Sequence, residues 1–590
     1  MPSYIDEATK RMRYEALRSE LWRERATFDA HWQELADYMM PRRTRFWAGD
    51  RNRGDKRNQK IIDSTGRFAA RTLASGLHAG LTSPARPWMK LTTPDPDLAE
   101  FGPVREWLHI VTLRMLTIFA TSNLYNVLPL AYLDLGIFGT SAMSMMQDNR
   151  DLFRAFSYPT GSFALGMDHR GMVTTFVRDY ELTVRQVVEE FGVQENGRTI
   201  DWSNISAPVK DLWDHGNYEQ AIEVTWIVKP NEHANANRVQ SKYLPWISCH
   251  FETGSRSMLS SNTSLDQRKF LRESGYRTFP LMCPRWDITG EDSYGTDCPG
   301  MTALPDVKQL QLMQKKKGQL ISKAVDPPLV GPSTLRTQKT SLLAGDITYN
   351  DSRDGMAGLR PIHEVRLEGF QHLTADMREV QYRIQRAFYE DLFLMIASSD
   401  ERLGAQRPTA REIDERHEEK LLALGPVLER TNDELLDPIV DRAFDLMETN
   451  GLLPPPPEEL HGVKLKVEYI SILATAQKLV GVAAQDRFLQ SVGAMVEQGF
   501  TDVMHKVNSF RTVDNYADML GVDPRMVRSD EEAQADVDSV RQQQAAAQAA
   551  ETAKNFGQAA AAGAKAPLTG DTALARIVNS ASGIPAASVP

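Results

Sequence analysis

"RFAARTLASGLHAGLTSPARPWMKL", residues 67–91, sets Arg67, Arg71, His78 and Arg86 into a run otherwise rich in Ala, Gly, Leu and Ser. The run reads as a helix of small residues, a turn built on Ser83-Pro84 and Arg86-Pro87, and a short segment carrying Trp88. Two readings fit these residues. Small side chains let a helix pack closely against a neighbour, and glycines beside cations also suit a site that grips phosphate. The surrounding chain has to decide between them.

Towards the N-terminus, residues 3–40 are predicted helical, with Trp22, Phe28, Trp32, Leu35 and Met39 at helical spacing and Pro41 as the stop. Residues 42–60, "RRTRFWAGDRNRGDKRNQK", hold eight Lys/Arg against two Asp and are predicted to form an exposed loop. Their mixture of Arg with Phe46 and Trp47 suits a nucleic-acid surface or an interface arm between proteins. Helix resumes over 61–81, "TTPDPD" (92–97) is a break, and 104–135 carries one or two further helices. The most membrane-like window, 128–146, contains Pro129, Asp134 and two glycines. A spanning helix needs about 20 predominantly apolar residues, so a buried helix followed by a strand is expected, and no membrane association. The polar start, Met1 to Lys10, predicts no secretion signal.

From 150 to 290 the pattern alternates. Turn signals at Pro159-Thr160-Gly161 and Asp168-His169-Arg170-Gly171 punctuate strands, further strands are expected at 223–231 and 243–253, and a helix at 183–192. This is an α+β module. "ALPDVKQLQLMQKKKGQLISKAV" (303–325) returns to helix and stops at "DPPLVGP", where prolines forbid continuation. Residues 326–361 are turn-rich with short β-prone pieces, and 364–394 form a second long helix. The result is a helix pair with a decorated tip. A polar loop, 396–416, follows. A long helix begins at the capping box Thr409-x-x-Glu412, with interruptions near Gly425-Pro426 and Asp437-Pro438. "GLLPPPPEEL" is a rigid linker, 463–471 a strand, and 472 to about 530 a compact helical segment. The Ala/Gln/Gly-rich tail beyond is expected to be partly helical and partly disordered.

Chemistry is signalled mainly by absences. "GSFALGM" (161–167) has phosphate-loop glycine spacing, but Met167 stands where the lysine should be. There is no GxGxxG, HExxH or GxSxG, so neither a catalytic centre nor a cofactor nor a metal is expected. The carboxylates Glu412, Asp414, Glu415, Glu418 and Glu419 alternate with Arg411, Arg416 and Lys420, as on a solvated or pore-lining helix, rather than as a two-metal cluster. Cys249, Cys283 and Cys298 form no CxxC pair and are expected to be free, buried thiols. Net charge is −10, with eleven Lys/Arg against twenty-two Asp/Glu over 364–460. That balance argues against a dedicated DNA binder, which needs a basic face. Lys315, Lys316 and Lys317, with Lys323, form either a solvated face or the phosphate contacts of the 303–325 helix.

With these pieces in order, "IIDSTGRFAARTLASGLHAGLTSPARPWMKL" resembles the N-terminal signature of the head-to-tail connecting (portal) proteins of short-tailed bacteriophages. "EDSYGTDCPGMTALPDVKQLQLMQ" (291–314), "RPTAREIDERHEEKLLALGPVLERTNDELLDPIV" (407–440) and "VEYISILATAQK" (467–478) resemble later blocks of that family, in the same order. The resemblance covers roughly residues 10–510. It implies an α+β portal fold, mainly helical, and a dodecameric ring at one capsid vertex around a channel for double-stranded DNA. The implied partners are terminase, the tail adaptor, and the major capsid and scaffolding proteins, in the virion and, during assembly, the host cytoplasm.

On that basis 1–302 is expected to be wing, 303–325 and 362–394 stem, and 326–361 clip. Residues 395–408 are expected to be the channel (tunnel) loop, 409–471 a long helix and return to the wing, 472–530 the crown and 531–590 a tail. Asp400, Glu401, Arg402 and Arg407 would then face DNA. The small residues between 69 and 80 fit close packing in the wing rather than a phosphate site. Two rival classes stand beside this: another virion structural protein, and a DNA-processing motor or nuclease, which the missing phosphate loop disfavours.

Overall fold

The computed structural model describes residues 7–50, 52, 54–192, 199–235, 237–238, 240–253, 270–325, 329–330, 360–361, 367–393, 424–460, 462–463, 465–470, 488–495, 506–520 and 530–563. These fall in two units, Met1–Asp486 and Arg487–Pro590.

Arg11, Arg18 and Arg25 recur every seven residues and so share one face of α1 (Glu7–Tyr38). Arg11 lies 3.7 Å from the Phe251 ring centroid and donates to the Glu252 carbonyl at 2.8 Å. Arg18 donates from Nε to both Asp179 oxygens at 3.0 Å, and Arg25 reaches the Gly161 carbonyl. All three acceptors belong to, or adjoin, a five-stranded antiparallel sheet of β4 (Phe163–Met167), β5 (Val173–Thr183), β6 (Ala221–Pro230), β7 (Trp246–Glu252) and β8 (Arg272–Tyr276). The strands lie in sequence order, as a meander, with a tight turn between β4 and β5 and longer connections between the others. The Asp168–Gly171 signal closes the β4–β5 turn, with Gly171 at φ 77°. Trp32 and Leu35 further along α1, and Met39 just past its end, are fully buried, as their spacing predicts.

The main core forms around α2 (Thr65–Leu81), the helix of the opening stretch. Ala69, Ala70, Leu73, Ala74 and Leu77 are buried. Against them runs α5 (Leu124–Phe138), close enough that a side chain at Gly136 would have to displace Leu73. A Cβ there would lie 2.6 Å from Leu73 Cδ2. Close packing is therefore the correct reading of the small residues. The "PWMKL" segment leads into β1 (Met89–Thr92), and Trp88 just before that strand lies stacked on Phe119 and Tyr469.

The 128–146 window is the C-terminal part of α5 followed by β2 (Ala142–Asp148), which pairs with β3 (Leu152–Tyr158) and β9 (Leu281–Met282). Asp134 is fully buried. Its partner is Arg43, which donates to it from Nε at 2.9 Å and through a second guanidinium nitrogen. Among the described residues no helix is long and apolar enough to cross a membrane.

Two local expectations need correction. The break at "TTPDPD" is confined to 93–95, because Pro96 at the first helical position pre-sets the helical φ and starts a short helix, α3 (Pro96–Glu100). The 42–60 stretch is not simply an exposed basic loop. Arg43 is drawn into the core by Asp134, Thr44 bridges to Thr160, and Arg57 pairs with Asp50 at 2.5 Å. Trp47, by contrast, is 66% exposed.

α4 (Gly102–Thr121) and the second half of the unit complete this core. α6 (Val184–Phe191), started by a Thr183/Gln186 capping box, packs with α7 (Ala207–Asp214) as a small satellite. In the second unit, 488–495 and Ser509–Leu520 are helical, and Asp530–Gly563 is one helix of 34 residues, about 51 Å long.

Candidate functional site

α8 (Pro299–Val325) and α9 (Leu367–Ala387) lie side by side. Past α8, β10 (Leu329–Val330) pairs antiparallel with β11 (Arg360–Pro361), which precedes α9. Helix, β-bearing insertion and helix therefore follow each other as the sequence predicts. Most of the insertion, 331–359, lies outside the described residues.

Ala303, Leu304, Val307 and Leu310 bury the first half of α8. Past Gln311 the burial stops: Leu312, Ile321 and Val325 are 57%, 44% and 80% exposed. Lys315, Lys316 and Lys323 are exposed on this distal half, and Lys317 is half-buried. At roughly 100° per residue, Lys316 and Lys323 share the face opposite Val307 and Leu310, about 20° apart. Lys317 turns the other way, with Nζ 5.6 Å from the Phe370 ring centroid on α9. The structure thus sets Lys316 and Lys323 on one face, about two turns apart, and separates Lys317 from them.

The base of this hairpin is a polar joint. The side-chain carbonyl of Gln311, a buried polar residue on the apolar face of α8, accepts from the Ile62 and Asp63 amides, both at 2.7 Å. Gln311 Nε2 donates to the Asp63 carbonyl at 2.9 Å. The Asp63 carboxylate caps Thr65 N at 2.8 Å and accepts from Gln314 Nε2 at 3.4 Å and Gln381 Nε2 at 3.2 Å. One carboxylate thus joins the start of α2 to both hairpin helices. Arg383–Asp306 at 3.0 Å and Lys308–Glu34 at 2.5 Å brace it from outside.

A second buried joint surrounds Arg285, whose side chain is 2% exposed. It pairs with Glu434 at 2.5 Å and donates to the carbonyls of Asp292 at 2.9 Å and Gly171 at 2.8 Å. Glu434 sits in a π turn, Asn432–Leu436, within the helix α10 that runs from residue 424 through Asp437–Thr449. Pro438 has no N–H for the Glu434 carbonyl, and its ring would crowd that carbonyl in a regular helix. The chain widens instead, and Asp437 N donates to Asn432 O. This is the interruption expected near Asp437-Pro438. The one near Gly425-Pro426 falls at the start of the described part.

Asp400, Glu401, Arg402 and Arg407 lie outside the described residues, as do the carboxylates of 412–419. The three cysteines are free and buried, and burial pushes the Cys249 and Cys298 thiols up to about 12. Burial, with a contribution from Arg272, pushes His250 down to about 3, so it stays neutral. Among the described residues no three metal-binding side chains gather.

The hairpin is thus seated on amide joints and carries a lysine-bearing distal half with apolar side chains left uncovered. The family model for the bacteriophage head to tail connecting protein matches residues 11–527, and the chain belongs to that family. It is 41% identical to the portal protein of Salmonella phage epsilon15 over 570 residues, 96% of this chain and 97% of that one. It is also 41% identical to the probable portal protein of Bordetella phage BPP-1 over 509 residues, covering 86% and 87%. The expected α+β portal fold and phage connector function both hold.

Proposed function

We propose that copies of this chain close into a ring, twelve in number, at one vertex of the capsid. The ring is the channel through which double-stranded DNA is packaged and ejected. The observation that carries this reading is the α8–α9 hairpin. Leu312, Ile321 and Val325 on α8 and Tyr382 on α9 are exposed, although each belongs to a helix anchored in the core. Identical neighbours in a ring would cover such residues, and head-to-tail contacts close into rings when the rotation allows.

On this reading 303–325 and 362–394 are stem and 326–361 clip. The wing spans 1–302 and is completed by the return through 409–471, and the crown is 472–530. Lys316 and Lys323 are the stem lysines that meet phosphate, with Lys315 beside them. Lys317 packs against Phe370 instead. The 395–408 loop projects into the channel, where Arg402 and Arg407 touch DNA and Asp400 and Glu401 keep the contact weak. Terminase and the tail adaptor dock at the clip in turn, and capsid and scaffolding proteins surround the wing. The protein contributes a conduit and no catalysis. Assembly takes place in the host cytoplasm.

Deleting 398–405 tests the loop assignment. Rings should still assemble, while genome retention or completion of packaging falls. Wild-type yields of filled heads from that deletion would overturn the loop's role.

A further inference from the structure

We propose that Gly76 and Phe393 form a latch that fixes the position and direction of the chain at residue 393, with Tyr389 as its pivot. α9 ends at Ala387, but the chain does not simply unwind there. Tyr389 adopts φ 54°, a left-handed conformation that disfavours residues with a Cβ. A second short helical turn, 390–393, then begins, with Leu392 N and Phe393 N both donating to the Tyr389 carbonyl at 3.0 and 3.3 Å. A strained residue persists only where its surroundings hold it.

Those surroundings are visible on both sides of the bend. Phe388 before it is fully buried, and the Tyr389 ring lies 6.5 Å from that of Trp286. Beyond it, Leu392 is 1% and Phe393 6% exposed. The Phe393 ring rests on α2 at Gly76, where a Cβ would lie 2.2 Å from two ring carbons. That gap is far below any real Cβ contact, so the ring fits only because position 76 has no side chain. The α2 small residues therefore serve two purposes. Ala69, Ala70 and Ala74 pack the core, whereas Gly76 is a notch for one particular ring.

The functional meaning rests on the portal reading above. Residues 395–408, the proposed channel loop, begin two residues after Phe393, so Gly76 and Phe393 are positioning residues for the root of that loop. The latch itself stands or falls separately, because it is measured without reference to rings or DNA.

The test is hydrogen exchange on the full chain, comparing peptides from 390–393 with peptides from 377–387. Gly76→Ala should expel the ring and speed exchange over 390–393 by about tenfold or more, while 377–387 stays protected. Combining it with Phe393→Ala, which makes room for the new methyl, should bring α2 back to wild-type protection. Unchanged exchange over 390–393 in Gly76→Ala would overturn the latch. If that variant loosens α2 and α9 together, Phe393→Ala alone decides. Faster exchange confined to 390–393 supports the latch; faster exchange throughout α9, or none, refutes it. Tyr389→Gly, which relieves the left-handed strain, should slow exchange over 390–393 if Tyr389 is the pivot, and faster exchange there would contradict that.

Discussion

Arg285 and Glu434 show how much one buried pair can hold. The arginine is 2% exposed and the carboxylate 10%, and the arginine also serves two backbone carbonyls from separate loops. Removing one partner leaves an uncompensated buried charge, so Arg285→Met should destabilise the chain by about 3–5 kcal/mol in denaturant unfolding. Adding Glu434→Leu should restore part of that loss, and full additivity of the two would argue against the pair. Asp437 offers a smaller test. Burial raises its carboxyl above the ordinary value, against the lowering effect of the Tyr469 hydroxyl bonded to it. A folded-state value above the unfolded one means that protonation favours the fold. Stability linked to Asp437 should therefore grow as pH falls from neutral towards 4, and Asp437→Asn should remove that part of the pH dependence.

Single residues were also where the sequence was hardest to read. Gln311 sits on an otherwise apolar face with Val307 and Leu310, and that mismatch was a visible signal of a buried hydrogen-bonding role. The recurrence of arginine at 11, 18 and 25 was another. Nothing in the sequence pointed to Asp63 as the counterpart of Gln311 at the hairpin base, or to Asp179 as that of Arg18, because such partners are distant in the chain and only tertiary packing pairs them.

Elements were easier to foresee, because periodicity is a local property. The strands between 150 and 290, the two hairpin helices and the buried helix before β2 all appear at or near their expected positions. The exceptions arise where backbone chemistry overrides pattern. α9 is cut short at Ala387 by a left-handed Tyr389, although its apolar rhythm continues through Phe388 and Leu392. Pro96 starts a helix inside an apparent break. At the other end of the chain, Asp530–Gly563 is helical, and its side chains from 541 to 555 are all exposed. A helix with so little buried surface contributes little to a core. Truncation after Asp530 should leave assembly intact by size-exclusion chromatography, and failure to assemble would make this helix an assembly element.

At the scale of the whole molecule, charge and oligomer form one argument. A conduit for an entire genome must not hold phosphate tightly, since each added cationic contact strengthens binding and its salt dependence. The chain's net charge of −10, and the twofold excess of carboxylates over 364–460, suit such a passage. On the proposed reading, Lys316 and Lys323, about two turns apart on one face of α8, would supply only a few contacts per subunit. All of this depends on the copies closing around an axis, and images of the purified full-length protein by negative-stain electron microscopy test that most directly. Closed rings with a central hole wide enough for a DNA duplex, roughly 20 Å, are the expected result, whereas monomers, fibres or open chains would contradict the account.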